Sequence, residues 1–174
     1  MKRKRIALLF AMQQEADPVI SALNLSGVSG IGVSYLPLRF YQGSFGQTLE
    51  LILSVNGRDS RYGVDSIGTE PAVLNAYVTF THFKPDLCVN AGTAGGFKRQ
   101  GAQIGDVYLS CDSFKFHDRR IPIPGWEEYG IGSYPSLNIL GLANALGLKS
   151  SGILMSAQVM GRQSAMNASG IFSV

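Results

Sequence analysis

The strongest indication of the fold lies at residues 87–96, which read Leu87-Cys88-Val89-Asn90-Ala91-Gly92-Thr93-Ala94-Gly95-Gly96. Its first part, residues 87–90, is short and apolar, which predicts a buried strand, and residues 91–96 predict a tight glycine loop after that strand. Ligands of open α/β sheets bind beyond the carboxyl ends of the strands, where small residues let a ligand contact the backbone. We therefore expect a ligand site at this loop, with a plain tight turn as the alternative.

The rest of the chain alternates between strand-like and helix-like segments. Helices are predicted at residues 12–23, 64–83 and 136–146, and residues 114–135 are predicted to be irregular. Further strands are predicted at residues 5–10, 36–45, 48–55, 106–111 and 153–155. Pro18 is expected in the first turn of its helix, where a missing N–H is tolerated. The pattern predicts an α/β domain with helices on both faces of a sheet.

Composition excludes several classes of protein. The 174 residues are 45% hydrophobic, and 15 basic against 12 acidic residues give a net charge of +3. Disorder needs lower hydrophobicity, and nucleic-acid binding needs a stronger basic footprint. Cys88 and Cys111 lie in apolar runs without metal-ligand spacing, which predicts buried free thiols and no metal site. The apolar run 6–12 favours a core strand over a signal peptide, so we expect a cytoplasmic protein without a membrane span.

Two further segments contain residues that are candidates for catalysis or binding. Glu15 follows the first strand and lies in the first turn of a helix; the alternative is a carboxylate that only stabilises the helix dipole. His117 next to Asp118 suggests a catalytic pair, but adjacent residues do not orient each other as a relay requires. A loop that docks on a partner subunit is an equally good interpretation of residues 116–122, because aromatic and Arg side chains are enriched at interfaces.

Several short motifs, in a fixed order, resemble one known family. Similarity to the 5′-methylthioadenosine/S-adenosylhomocysteine nucleosidases, and especially to the plant-type methylthioadenosine nucleosidases, runs over residues 5–154. The motifs are Ala11-Met12-Gln13-Gln14-Glu15, Lys84-Pro85-Asp86-Leu87, Asn90-Ala91-Gly92-Thr93-Ala94-Gly95-Gly96-Phe97, Gly105-Asp106-Val107 and Phe116-His117-Asp118-Arg119-Arg120-Ile121-Pro122. The resemblance implies an α/β three-layer sandwich of the nucleoside phosphorylase/nucleosidase type, with a mixed central sheet flanked by helices.

The resemblance also implies a reaction and roles for individual residues. The family hydrolyses the N-glycosidic bond of its nucleoside to adenine and a thioribose, in methionine salvage, without metal or cofactor. Glu15 is the implied water-activating carboxylate, and residues 118–122 are implied to cross to the partner subunit of a homodimer. The implied substrate contacts are Met12, Thr93, Ala94, Gly95 and Phe116.

The chain departs from the family pattern in its C-terminal part. The family has a ribose-binding Glu after a Met, and an Asp after a Ser that protonates adenine. No Asp or Glu follows Glu128 here, and Met155-Ser156-Ala157-Gln158-Val159-Met160 replaces a family segment. We therefore expect a C-terminally truncated nucleosidase domain at 1–154, an atypical tail at 155–174, and little or no activity in this chain alone.

Two other functions stay open from the sequence. One is a non-catalytic storage or binding relative of the same fold, although Glu15 and the glycine stretch favour descent from an enzyme. The other is a phosphorylase that uses inorganic phosphate, for which residues 57–59, Gly-Arg-Asp, are the candidate phosphate contact. The sequence does not choose between methylthioadenosine and S-adenosylhomocysteine as substrate.

Overall fold

A computed structural model describes most of the chain. The described residues are 3–31, 34–115, 121–155 and 168–173. They belong to two compact units, Met1–Gly92 and Thr93–Val174, which are presented here one at a time. The predicted division at residue 154 stays a prediction.

The first unit contains a mixed sheet and two helices. Its elements are β1 (Lys4–Phe10), α1 (Gln13–Ala22), β2 (Ser26–Val28), β3 (Arg39–Phe45), β4 (Leu49–Val55), α2 (Thr69–Phe83) and the first part of β5 (Leu87–Gly95). The strand order is β2-β3-β4-β1-β5, in which β1 runs parallel to both β4 and β5 while the β2-β3-β4 pairs are antiparallel. A strand with neighbours on both sides has all its backbone groups paired, so β1 is the centre of this sheet.

The core of the first unit lies between this sheet and α2. Ala7 on β1 pairs with Ile52 on β4, and both are fully buried. Val78 and Phe83 of α2 pack into the same cluster, which also contains Phe40 of β3. Burying such apolar side chains contributes about 1.5–3 kcal/mol each, so these contacts hold α2 on the strands.

Most of the elements predicted for this unit are confirmed, with three corrections. Pro18 lies inside α1 and not in its first turn. The helix therefore continues past Pro18 although this residue has no N–H to donate to an intrahelical hydrogen bond. The strand expected from residue 36 begins at Arg39. The helix expected from residue 64 begins at Thr69, because Gly68 has a φ of 119° that a helix cannot continue through.

The second unit is built around one long strand. Its elements are a 3₁₀ turn (Lys98–Gln100), β6 (Val107–Lys115), α3 (Glu127–Ile131), β7 (Ser133–Pro135), α4 (Leu140–Leu146), β8 (Lys149–Met155) and β9 (Ala168–Ser173). β6 pairs antiparallel with β7 and parallel with both β8 and β9. Leu109 and Cys111 of β6 pack against Ala143 of α4 and form the core of the second unit.

The predictions for this unit need more correction. Residues 114–135, expected to be irregular, contain the end of β6 together with α3 and β7. The helix expected at 136–146 begins only at Leu140, where the side chain of Asn138 accepts a hydrogen bond from the backbone N–H at 3.2 Å. β9 lies in the tail that had no predicted element, and it forms because β6 supplies a partner for it.

Candidate functional site

The carboxyl ends of the parallel strands of the first unit meet at one edge of its sheet. β1 ends at Phe10, β4 ends at Val55, and β5 passes this edge near Gly92. The backbone N–H of Asn56 donates to the carbonyl of Phe10 at 3.2 Å, which joins the exits of two strands. This is the edge at which open α/β sheets bind ligands.

Glu15 lies at this edge because α1 begins directly after β1. It is the third residue of the helix and is half-buried. Its Oε2 accepts a hydrogen bond from the backbone N–H of Met12 at 3.1 Å. A carboxylate that returns to the residue before the helix satisfies an N–H without an intrahelical partner, which holds the side chain in one orientation.

Gly92 faces the carboxylate of Glu15. A Cβ built on Gly92 would lie 3.3 Å from Oε1 of Glu15, slightly closer than an ordinary van der Waals contact, and 3.5 Å from Oε2, which is an ordinary contact. The absence of a side chain at this position therefore lets the carboxylate approach the backbone of β5. The structure thus brings together two features that lie 77 residues apart in the sequence (92 − 15).

The glycine stretch is not the loop that the sequence predicted. Residues through Gly95 belong to β5, so the backbone stays extended where a tight turn was expected. Glycine is common in turns and disfavoured in strands, but here β5 continues through Gly92 and Gly95. Thr93 is exposed and Ala94 and Gly95 are half-buried at the start of the second unit.

The remaining predicted site residues are only partly described. Met12 precedes α1 with extended backbone angles (φ −115°, ψ 146°) and is half-buried. Ile121 is half-buried and Pro122 is exposed. Phe116, His117, Asp118, Arg119 and Arg120 lie outside the described residues. The roles of all these residues stay predictions.

A cavity of about 400 Å³ lies in the first unit, beside the start of α1. Its volume falls in the range of small-molecule sites, about 300–1,000 Å³. The lining residues are Gln13, Gln14, Arg39, Gly57, Arg58, Gly63, Val64 and Asp65. The sequence indicated Gly57 and Arg58 as a candidate phosphate contact, and Gln13 and Gln14 lie in a quoted family motif, but no spacing links these two segments to each other or to Arg39.

Gly57, which follows β4 and lines the cavity, has a backbone conformation and surroundings that require glycine. Gly57 has a φ of 82°, and a Cβ there would lie 1.7 Å from the carbonyl oxygen of Pro37. No other residue fits this position without moving the backbone. The signal that could have identified it is a glycine two residues after a buried strand and immediately before Arg58.

A network of buried polar side chains connects the 57–66 segment, which lines the cavity, to α2 and β4. Asn75 of α2 donates to Oδ1 of Asn56 at 2.9 Å, and Asn56 donates to the carbonyl of Ser66 at 2.9 Å. Thr79 donates to Oδ1 of Asn75 and contacts Oγ of Ser54, each at 3.3 Å. Ser54, Asn56, Asn75 and Thr79 are all buried, so this network ties α2, β4 and the 57–66 segment together.

Both cysteines are free thiols, as predicted, with Cys111 buried and Cys88 half-buried. Burial raises the pKa of Cys88 to about 11, which leaves its sulfur protonated and unreactive at neutral pH. In the described part of the chain, no three His, Cys, Asp or Glu side chains gather into a group that could ligate a metal ion. Among the described helices, none combines the length and apolarity needed to span a bilayer.

Comparison with known proteins gives a consistent result. A family model described as the phosphorylase superfamily matches residues 5–149. A 5′-methylthioadenosine nucleosidase of Arabidopsis thaliana is 42% identical over 146 residues, which cover 83% of this chain and 54% of the relative. A 5′-methylthioadenosine/S-adenosylhomocysteine nucleosidase of the same plant is 40% identical over 141 residues, covering 78% and 54%. The chain therefore spans about half the length of the curated relatives that it matches.

Comparison with solved structures identifies the same kind of protein. A crystal structure of an MTA/SAH nucleosidase aligns with a TM-score of 0.84 and 37% identity, over 94% of this chain and 66% of that one. The apo structure of the Arabidopsis thaliana 5′-methylthioadenosine nucleosidase aligns with a TM-score of 0.81 and 38% identity, over 89% and 63%. Both the expected mixed sheets with flanking helices and the nucleosidase resemblance are confirmed.

Proposed function

The chain belongs to the phosphorylase superfamily, and from this premise we propose that it carries the water-activating part of a site that hydrolyses the N-glycosidic bond of 5′-methylthioadenosine. The products are adenine and a thioribose, a step of methionine salvage. The observation that carries the proposal is the carboxylate of Glu15, held against Gly92 at the ligand-binding edge of the sheet.

The chemistry of the bond explains why a carboxylate is needed there. Cleavage of a glycosidic bond passes through an oxocarbenium-like transition state, so a carboxylate on one side of the sugar positions and deprotonates the attacking water. Glu15 fits this role because its hydrogen bond to Met12 orients the carboxylate, and the glycine opposite leaves space beside it. We assign water activation to Glu15.

The leaving adenine needs a proton from the other side. In these 174 residues no Asp or Glu follows Glu128, so the C-terminal part supplies no carboxylic acid for that step. Loss of a general acid typically costs about 10²–10⁴-fold in rate. We therefore expect the chain by itself to release adenine at least about 100-fold more slowly than a full-length relative.

Substrate contacts follow the family pattern. We propose that Met12 packs beside the ribose and alkylthio group, that Thr93 lies near the water and sugar, and that the Ala94-Gly95 backbone lines the base. Phe116 is proposed as part of the alkylthio pocket. The described backbone supports the first of these, because Met12 and Glu15 share one hydrogen bond at the start of α1.

We also propose that the chain forms a homodimer. Val73, Leu74, Tyr77 and Phe80 of α2 are between 45% and 67% exposed and lie along one face of the helix, at spacings of three and four. Contiguous exposed apolar side chains of this kind are typical of an interface. Together with the 118–122 segment, this face is proposed to contact the second copy. A cytoplasmic location is proposed from the two free thiols.

The experiment is product analysis with 5′-methylthioadenosine, with and without inorganic phosphate. The proposal expects slow release of adenine together with methylthioribose, at a rate that phosphate does not change. A sugar phosphate formed only with phosphate would support the phosphorylase alternative. Saturable binding without any adenine release would support the non-catalytic relative, and turnover equal to that of a full-length nucleosidase would contradict the missing-acid argument.

A further inference from the structure

We propose that Asn56 is a site of spontaneous backbone modification, namely deamidation through a succinimide to aspartate and isoaspartate, and that the hydrogen bonds of its side chain control this reaction. The folded chain is protected, and local opening of the 57–66 segment exposes the site. Each event then irreversibly alters the edge of the sheet at which ligands bind. The inference does not depend on the proposed nucleosidase function.

The dipeptide Asn56-Gly57 is the chemical basis of the proposal. It is the only place in the 174 residues where Asn precedes Gly. Succinimide formation requires the backbone nitrogen of the following residue to reach the side-chain carbonyl carbon of Asn. Glycine hinders this approach least, because it has no Cβ and the widest backbone freedom. In the unfolded chain, Asn56 should therefore be modified faster than any other Asn.

The reaction balances with water as the only other reactant. The backbone nitrogen of Gly57 loses its proton to hydroxide and attacks Cγ of Asn56, so that a C–N bond forms. The bond from Cγ to Nδ2 breaks, and Nδ2 takes up a proton from water and leaves as ammonia. One water molecule then opens the succinimide ring at either carbonyl carbon. The products are aspartate and isoaspartate, which has an additional methylene in the main chain.

The fold requires both residues of this labile pair. Gly57 has a φ of 82°, and a Cβ there would lie 1.7 Å from the carbonyl oxygen of Pro37. The carboxamide of Asn56 accepts a hydrogen bond from Asn75 at 2.9 Å and donates one to the carbonyl of Ser66 at 2.9 Å. These two partners need a side chain with both a donor and an acceptor. A substitution that removed the lability would therefore also disrupt the local structure.

The same contacts protect Asn56 in the folded chain. Asn56 is only 2% exposed, so hydroxide and water reach its carboxamide after local opening. Both ends of the carboxamide are held, and the carbonyl of Gly57 accepts a hydrogen bond from the N–H of Ser66 at 2.8 Å. While these bonds are intact, the side chain cannot turn towards the Gly57 nitrogen. The rate is therefore set by the population in which the segment is open.

Modification damages the structure next to Glu15. A carboxylate at position 56 has no N–H for the carbonyl of Ser66, and burial of an unpaired charge is strongly unfavourable. The backbone N–H of Asn56 donates to the carbonyl of Phe10 at 3.2 Å, and isoaspartate lengthens the main chain directly after this bond. The modified chain should therefore be less stable, and the exits of β1 and β4 should lose their present geometry.

The test is peptide mapping by mass spectrometry after incubation of the 174-residue chain at neutral pH, with and without urea. The mass increase from amide to acid is followed at each Asn. In urea, Asn56 should be modified before every other Asn, including Asn24, which precedes the bulkier Leu25. In buffer, modification of Asn56 should be at least about 100-fold slower than in urea. The exposed Asn24 should be slowed far less.

Asn75→Ala tests the controlling hydrogen bond, and Thr81→Ala is its control. Loss of the bond from Asn75 should speed modification of Asn56 in buffer by about 10-fold or more. Thr81 lies on the same helix and donates to the carbonyls of Tyr77 and Val78, so its removal should leave the rate unchanged. Equal rates in the two variants would exclude control by Asn75.

The wild-type chain keeps the proposal testable even if Asn75→Ala does not fold. Equal rates at Asn56 with and without urea would overturn protection by the fold. Faster modification of another Asn in urea would overturn the choice of site. The chain modified at Asn56 should also show a lower urea midpoint than the unmodified chain, and an unchanged midpoint would contradict the predicted damage.

Discussion

Removal of the Asn75 side chain tests how the cavity wall is supported. In Asn75→Ala, Oδ1 of Asn56 loses its 2.9 Å donor, and Oγ1 of Thr79 loses one acceptor while it keeps its contact with Ser54. Asn75 is only 1% exposed and Asn56 2%, so water cannot replace the lost partner without entering the core. The substitution therefore leaves a buried acceptor unsatisfied.

The magnitude follows from this geometry. A buried polar group without a partner costs about 1–3 kcal/mol, whereas the better helix propensity of Ala returns only about 0.5 kcal/mol. We expect the free energy of unfolding to fall by about 2 kcal/mol. Because Asn56 also donates a hydrogen bond to the Ser66 carbonyl, the 57–66 segment should become less ordered as well.

The assay is urea denaturation monitored by circular dichroism, in which a lower midpoint at constant slope reports a loss of stability. Thr81→Ala is the control, since Thr81 lies on the same helix and donates only to the carbonyls of Tyr77 and Val78. It should stay within about 0.5 kcal/mol of the wild type. The double variant Asn56→Ala/Asn75→Ala should cost less than the sum of its single substitutions. Strict additivity, or an Asn75→Ala chain as stable as the control, would show that Asn75 does not stabilise Asn56.

Three further predictions concern other parts of the chain. Gly92→Ala should lower adenine release by up to about 10-fold with little loss of stability, because the new Cβ, 3.3 Å from Oε1 of Glu15, displaces the carboxylate; an unchanged rate would contradict this. The hydrogen bond from Lys149 holds the pKa of Asp106 below its ordinary value, so the stability that this carboxylate adds is present above about pH 3.9 and is lost as pH falls through the lowered pKa. Melting temperatures across that acidic range should fall less in Lys149→Met than in the wild type, and parallel curves would count against the pair. Tyr77→Asp should convert the proposed homodimer to monomers in light scattering, and a dimer that persists in this variant would exclude the α2 face as the interface.

The sequence predicted those elements of the fold whose local residue pattern favours the conformation that they adopt. β1 is apolar from Ile6 to Phe10 and lies between two strands, and β3 and β4 carry aromatic and apolar residues on either side of a short turn, so both were predictable. The pattern failed where tertiary pairing decides the conformation. The glycines of β5 favour a turn in isolation, and the residues of β9 form a strand only because β6 lies beside them.

The sequence likewise predicted only part of the candidate site. Glu15 could be selected from the sequence because it follows a buried strand, and family resemblance gave it a role. The cavity could not be predicted, because Gln13, Arg39 and Arg58 come from a helix, a strand and a loop that only the folded sheet brings together. The proximity of Gly92 to Glu15 likewise depends on the parallel pairing of β1 with β5, which no local pattern encodes.

Water activation by Glu15 can be measured directly as adenine release from 5′-methylthioadenosine by the wild-type chain, Glu15→Gln and the control Asp17→Asn. Asp17 lies on the same helix and is exposed, and its carboxylate accepts a hydrogen bond from Gln13 at 2.7 Å. We predict that Glu15→Gln lowers the rate by about 10²–10⁴-fold, the usual contribution of a general base, and that Asp17→Asn leaves it unchanged. Equal release by the wild-type chain and the Glu15 variant would contradict the assignment of water activation to Glu15.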